Sequence, residues 1–187
     1  MECYPFSSKT FAHDLVVIPS TMSAHTMGVS TLDYNSTAAT LNPIGLLFKL
    51  YGEHFVGSVP VSLSANSPQP TPQYPIGGDQ PKTDSGSPTY PLDMVAALST
   101  DHKFLTLAVV NATESEQKVD LKAAGTQLGG PSTLWQVTGK SLEAANRVGQ
   151  EPQVEVKAFS MENAPTTQSV APISINIYRF PVAAAVH

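Results

Sequence analysis

The side chains with the chemistry to move a proton or hold a metal are a few aspartates and histidines. Two carboxylates roughly 5–10 Å apart can hydrolyse a glycoside. Asp79, Asp84, Asp93 and Asp101 are the candidate members of such a pair. Each lies in or beside a turn, where aspartate equally serves local backbone hydrogen bonds. Asp101-His102 is the adjacent acid–imidazole pair and supplies the candidate catalytic residues. Neighbours on one hairpin tip are nevertheless poorly placed to act as a base and its orienting group. The histidines His13, His25, His54, His102 and His187 form no HxH or HxxEH pattern, so a zinc site is not expected. Asp79 and Asp84, with Gly77 and Gly78, make the candidate metal loop. Carboxylate and carbonyl oxygens there would suit calcium. The loop lacks EF-hand spacing, and no cofactor is expected. There is no G-x-S-x-G elbow, and a serine without an identifiable base is not a nucleophile. Trp135 is the candidate ligand-binding residue, as a face on which a sugar ring can stack. Its place in a strand, between Leu134 and Val137, suits core packing as well.

The elements that must position these residues read as mainly β. Among 187 residues only 13% are charged while 16 are proline, which fits an all-β domain with long loops better than a helical one. The length allows one sizeable core. Net charge is −5 and there is no Lys/Arg cluster, so nucleic acid is not an expected partner. No apolar run approaches 18 residues, so no transmembrane helix and no membrane partner are expected. The N-terminus lacks the basic and apolar regions of a secretory signal. Asn35-Ser-Thr and Asn111-Ala-Thr match glycosylation sequons, which without such a signal read as chance. Cys3 is the single cysteine, so no internal disulfide forms and the compartment is not revealed.

The clearest β signal is Thr100 to Leu121. Phe104 to Val110 is an apolar run interrupted only by Thr106, as in a strand buried on both faces. A polar corner, Asn111 to Gln117, follows, and then Val119 and Leu121 alternate with Asp120 and Lys122. Further strands are expected at Val59–Leu63, Leu92–Leu98, Thr133–Thr138, Val154–Phe159 and Ile173–Tyr178. Shorter ones are expected at Leu15–Ile18 and Val29–Tyr34. Leu41 to Phe55 is the one helix. Asn42 is its expected N-cap, Pro43 its first residue and Gly57 its terminator. Ile44, Leu47, Phe48, Tyr51 and Phe55 make its apolar stripe. Asn66 to Pro91 is a long polar loop with seven prolines. The expected fold is an antiparallel β-sandwich of Greek-key or jelly-roll type with one amphipathic helix near the N-terminal third. Residues 1–40 read as a poorly defined N-terminal segment, and residues 41–187 as helix plus sandwich, in a single domain overall.

This order of elements resembles the C-terminal part of an α-L-arabinofuranosidase-like glycoside hydrolase of the family 51 type. The matching pieces are the helix LNPIGLLFKLYGEHF, Val109-Val110-Asn111, Val137-Thr138-Gly139 with Ser141-Leu142-Glu143-Ala144-Ala145-Asn146, and Pro172 to Phe180. Together they cover about residues 29–182, while residues 1–28 resemble nothing in the family. In that family a C-terminal β-sandwich follows the last helix of a catalytic (β/α)8 barrel. The family's catalytic pair is two glutamates on barrel strands, the acid/base one preceded by Asn. This chain has no Asn-Glu dipeptide, and a barrel needs about 250 residues. Neither catalytic residue carries over.

The resemblance implies an accessory module without the barrel, one that supports a catalytic barrel or contacts carbohydrate. The alternative is a stand-alone small hydrolase acting on an ester, lactone or glycoside, metal-assisted or not, through the loop carboxylates or His102. A third expectation is self-association through the Ile44–Phe55 helix face, if that stripe has no barrel to cover it.

Overall fold

The computed structural model describes residues 31–66, 89–141, 143–164 and 166–183. The expected strand at Leu15–Ile18 and most of the Pro-rich loop lie outside them. The described chain begins with a hairpin, β1 (Leu32–Tyr34) and β2 (Ala39–Leu41), followed by helix α1 (Pro43–His54). Nine more strands follow among these residues: β3 (Val59–Val61), β4 (Leu92–Leu98), β5 (Phe104–Asn111), β6 (Gln117–Asp120), β7 (Gln127–Leu128), β8 (Ser132–Thr138), β9 (Glu155–Met161), β10 (Thr167–Val170) and β11 (Ser174–Ala183).

The large antiparallel sheet runs β3-β4-β5-β11-β8-β9, and β7 pairs with the far end of β11. The last strand in sequence is therefore central. It pairs with β5 from Ser174↔Asn111 to Pro181↔Phe104, and with β8 from Ser174↔Thr138 to Arg179↔Thr133. The second layer of the sandwich is a two-stranded sheet, β6 with β10. It covers one face of the large sheet, where Val170 packs with Leu107, Val109, Tyr178 and Phe180. Helix α1 covers part of the other face, where Leu50 meets Ala108, Val137, Val154 and Ile177. Two-sided cover explains the run of apolar residues in β5, in which Thr106 is the interior exception. Leu107 and Val109 point to the small sheet while Ala108, between them, points to the helix.

Helix α1 starts as its sequence dictates. Asn42 is the N-cap in extended backbone, its carbonyl accepts the Leu46 N–H at 2.9 Å, and Pro43 follows. Gly45 is needed for close approach: a β-carbon there would collide with the Thr31 carbonyl oxygen. The apolar stripe is turned relative to the expected one. Leu46, Leu50, Tyr51 and Phe55 pack on the sheet, and Ile44, Leu47 and Phe48 are half-buried along the flank. The helix is apolar on too much of its circumference for spacing alone to choose the inner face. Part of the surface expected to drive self-association is thus covered by the chain's own sheet.

Two buried asparagines lock the layers. Asn111, 1% exposed, ends β5 and turns the polar corner. Its amide donates to the carbonyls of Ser115, Val170 and Ala171, and its Oδ1 accepts from the Thr113 N–H and hydroxyl. Asn146, 5% exposed, donates to the carbonyls of Leu41 and Val154. Its Oδ1 accepts the N–H groups of Gln153 and Val154 at 2.9 Å. Both are the asparagines of the motifs that carry the family resemblance. Asn146 also joins the entrance of α1 to the start of β9, and Asp33 of β1 adds a bond from the Val148 N–H at 2.8 Å.

Removing Asn146 strands two carbonyls and two N–H groups together. Asn146→Ala should destabilise the fold by roughly 2–4 kcal/mol in equilibrium denaturation. A loss below about 0.5 kcal/mol would show that water replaces the side chain. The Tyr178 hydroxyl behaves in the opposite way, because it is buried with no hydrogen-bond partner among the described residues. Burial pushes its pKa up to about 12. The neutral phenol is the favoured form, so its contribution is intact below the unfolded value near 10 and is lost as pH rises through about 12. Tyr178→Phe should leave stability unchanged or slightly raised at neutral pH. Burial raises the Tyr51 pKa as well, so spectrophotometric titration should show the number of late-ionising tyrosines fall by one in the variant.

Candidate functional site

The last turn of α1, the β4–β5 hairpin and the outer end of β11 meet around a polar cleft of about 160 Å³. Glu53, His54, Ser58, Thr106 and Arg179 are among its lining residues. The helix stripe places His54 one turn beyond Leu50, so its imidazole lies on the sheet rather than in solvent. It stacks on Trp135 of β8, with ring centroids 3.8 Å apart and planes 27° from parallel. The His54 Nε2 is buried without a hydrogen-bond partner among the described residues. Burial lowers the His54 pKa below its ordinary 6.5; Glu53 opposes that shift and Arg179 adds to it. Arg179 lies in β11 between the buried Tyr178 and Phe180. Its guanidinium sits 4.1 Å over the Phe104 ring of the neighbouring strand.

The expected catalytic pair lies beside this cleft and serves its hairpin. The Asp101 carboxylate accepts the Ser99 hydroxyl at 2.6 Å and the Lys103 N–H at 3.1 Å. The Ser99 hydroxyl in turn accepts the Phe104 N–H at 3.0 Å. These bonds, the Ser99 one foremost, hold the Asp101 pKa below its ordinary value. His102 turns the chain at φ 57°, its N–H donating to the Ser99 carbonyl. Asp93 lies on β4, exposed and paired in register with Val110. Asp79, Asp84 and their glycines lie outside the described residues, as do His13, His25 and His187. Among the described residues no three His, Cys, Asp or Glu side chains gather into a metal-holding group. No described helix is long and apolar enough to cross a membrane.

Trp135 is half-buried in the layer between the sheet and α1, with His54 over its ring. The residues that sequence reasoning passed over are His54 and Arg179. Each left a signal. His54 continues the Leu46–Leu50 spacing, and Arg179 is a lone charge inside an otherwise uncharged strand. A second, mainly apolar cleft of about 210 Å³ opens at the other end of the sheet, between Pro43, Val137, Ala144 and Ile175.

The fold defines an antiparallel β-sandwich module with one helix packed on the outer face of its large sheet. Comparison with solved structures finds this fold within arabinofuranosidases of glycoside hydrolase family 51. One arabinofuranosidase crystal structure superposes with TM-score 0.62 and 19% identity, over 81% of this chain and 31% of the enzyme. An arabinose-bound family 51 α-L-arabinofuranosidase gives 0.61 and 11%, over 82% and 21%. The family 51 arabinofuranosidase of Xanthomonas axonopodis pv. citri gives 0.59 and 19%, over 80% and 28%. The chain spans less than a third of each of these enzymes. No protein-family model and no curated protein matches the sequence.

Protonation of His54 should be visible from Trp135, the only tryptophan, because an imidazolium against an indole quenches its emission. The folded-state pKa of His54 is lowered, so its stabilising contribution is complete above 6.5 and is lost as pH falls through the folded value. Trp135 emission should therefore drop with a midpoint below 6.5, and His54→Gln should abolish the step. A midpoint at or above 6.5 would contradict the burial assigned to His54.

Proposed function

We propose that the chain is an accessory β-sandwich module of the kind that accompanies the catalytic barrel in family 51 arabinofuranosidases, supporting such a barrel or contacting carbohydrate. The observation that carries this reading is the asymmetry of the superpositions. They take in 80–82% of this chain but only 21–31% of the enzymes. Of the polar pair best suited to catalysis, the Asp101 carboxylate is occupied in turn hydrogen bonds and His102 serves the turn through its backbone N–H, which favours a structural role for that hairpin.

The decisive measurement is turnover by the purified full chain on aryl arabinofuranosides, aryl esters and lactones, with and without a chelator. The expected result is no hydrolysis of any of them. Activity that survives repurification and is lost in Asp101→Ala would overturn the accessory reading in favour of a stand-alone hydrolase. Asp101→Ala should otherwise loosen only the hairpin, with little change in overall stability, because the side chain is exposed.

A further inference from the structure

We infer that the cleft between the end of α1 and the β4–β5 hairpin is a binding site for a small carboxylate ligand, of the size and chemistry of a sugar acid, with Arg179 as its principal contact. This inference stands apart from the accessory reading, since it concerns a site on this chain whatever the chain is attached to.

Arg179 carries a charge with no ion-pair partner among the described residues. Arg179 is half-buried in the central strand of the large sheet, flanked by two side chains at most 1% exposed. A cation only partly in water gains more from an anionic partner than a fully solvated one does. Among the described residues the ion pairs are Lys49 with Glu53, at 3.9 Å, and Lys103 with Asp101, at 3.8 Å. Arg179 takes part in neither. One face of its guanidinium is used by the Phe104 ring, which leaves the in-plane donors of the fork for a partner. That fork matches the two oxygens of a carboxylate.

The surroundings complete a site rather than a bare charge. Thr106, in register with Arg179 across the β5–β11 pair, is 4% exposed and lines the same cleft, as does Ser58 after the helix. Their hydroxyls can donate to a second oxygen or to the ring hydroxyls of a sugar. The carboxylate among the lining residues is Glu53, which lies at the rim, half-exposed and paired with Lys49. The charged groups acting on His54 are Glu53 from its own helix and Arg179 from the sheet. His54 stacks on Trp135 beside the cleft, so the site has a built-in reporter.

The test is titration of the full chain with sodium glucuronate while Trp135 emission is followed, with glucose and inorganic phosphate as comparison probes. Glucuronate should give a saturable change that weakens as sodium chloride is raised. It should also raise the midpoint of the His54 step, because a carboxylate on Arg179 cancels the positive charge that helps keep His54 neutral. Arg179→Gln should weaken glucuronate binding by about tenfold or more. Thr106→Val, which keeps shape and removes the hydroxyl, should weaken it by a smaller factor and serves as the second variant if Arg179→Gln fails to fold by circular dichroism. Four results would overturn the inference: no saturable response, an equal response to glucose, binding of phosphate without glucuronate, or unchanged affinity in both variants.

Discussion

An antiparallel sheet covered on both faces has no water to spare for the polar groups at its strand ends, and the rest of this structure follows from that constraint. β11 runs between β5 and β8, with Ile177 toward the helix and Tyr178 and Phe180 toward the small sheet, all at most 1% exposed. Where its neighbours turn away, backbone N–H and C=O groups would be orphaned at a cost of about 1–3 kcal/mol each. Buried side chains take over their hydrogen bonds. Asn111 and Asn146 each bridge backbone groups from separate parts of the chain. Asn176, fully buried, accepts from the Gln136 amide at 2.8 Å and donates to the Ser174 hydroxyl at 2.7 Å. These networks are satisfied almost throughout, which is the condition under which buried polarity specifies a single arrangement rather than weakening it.

Most of this architecture is legible in the residues. The expected strand Leu92–Leu98 matches β4, and the run of consecutive apolar residues Leu107 to Val110 in β5 carries the information that both its faces are covered. What is not legible is the small layer. β10 has the sequence TQSV, of which Val170 alone is apolar, although Gln168 and Val170 are both buried. Its strand character comes from pairing with β6, a long-range contact that local spacing cannot carry. β2 and β7, of three and two residues, are too short for any period to register. The same limit applies to the site. His54 and Arg179 are 125 positions apart in sequence and meet only because α1 lies across the sheet near the end of β11.

The two clefts divide the helix-facing side of the sheet by chemistry. At the entrance of α1 the lining is apolar and includes Pro43, Val137 and Ile175. At its exit the lining carries hydroxyls, an imidazole and a guanidinium. The helix thus acts as a partition as well as a lid. Its inner residues Leu46 and Leu50 fill the middle of the sheet, and its last turn supplies His54 to the polar end. The group made by Phe104 with Arg179 and Trp135 with His54 is built from β5, β11 and β8, which sit side by side in the sheet, and from the last turn of α1.

The Asn146 bridge also bears on how such a module can be moved between proteins. One side chain holds the carbonyl of Leu41, just before α1, and the carbonyl of Val154, just before β9. Gly45 is pressed against Thr31 and Leu50 is sealed under the helix. Helix and sandwich are therefore one transplantable unit. A splice made between Phe55 and Val59 would leave the sheet with an open apolar face and Asn146 with an unanswered donor. A splice made upstream of Thr31 would carry every one of these contacts across intact.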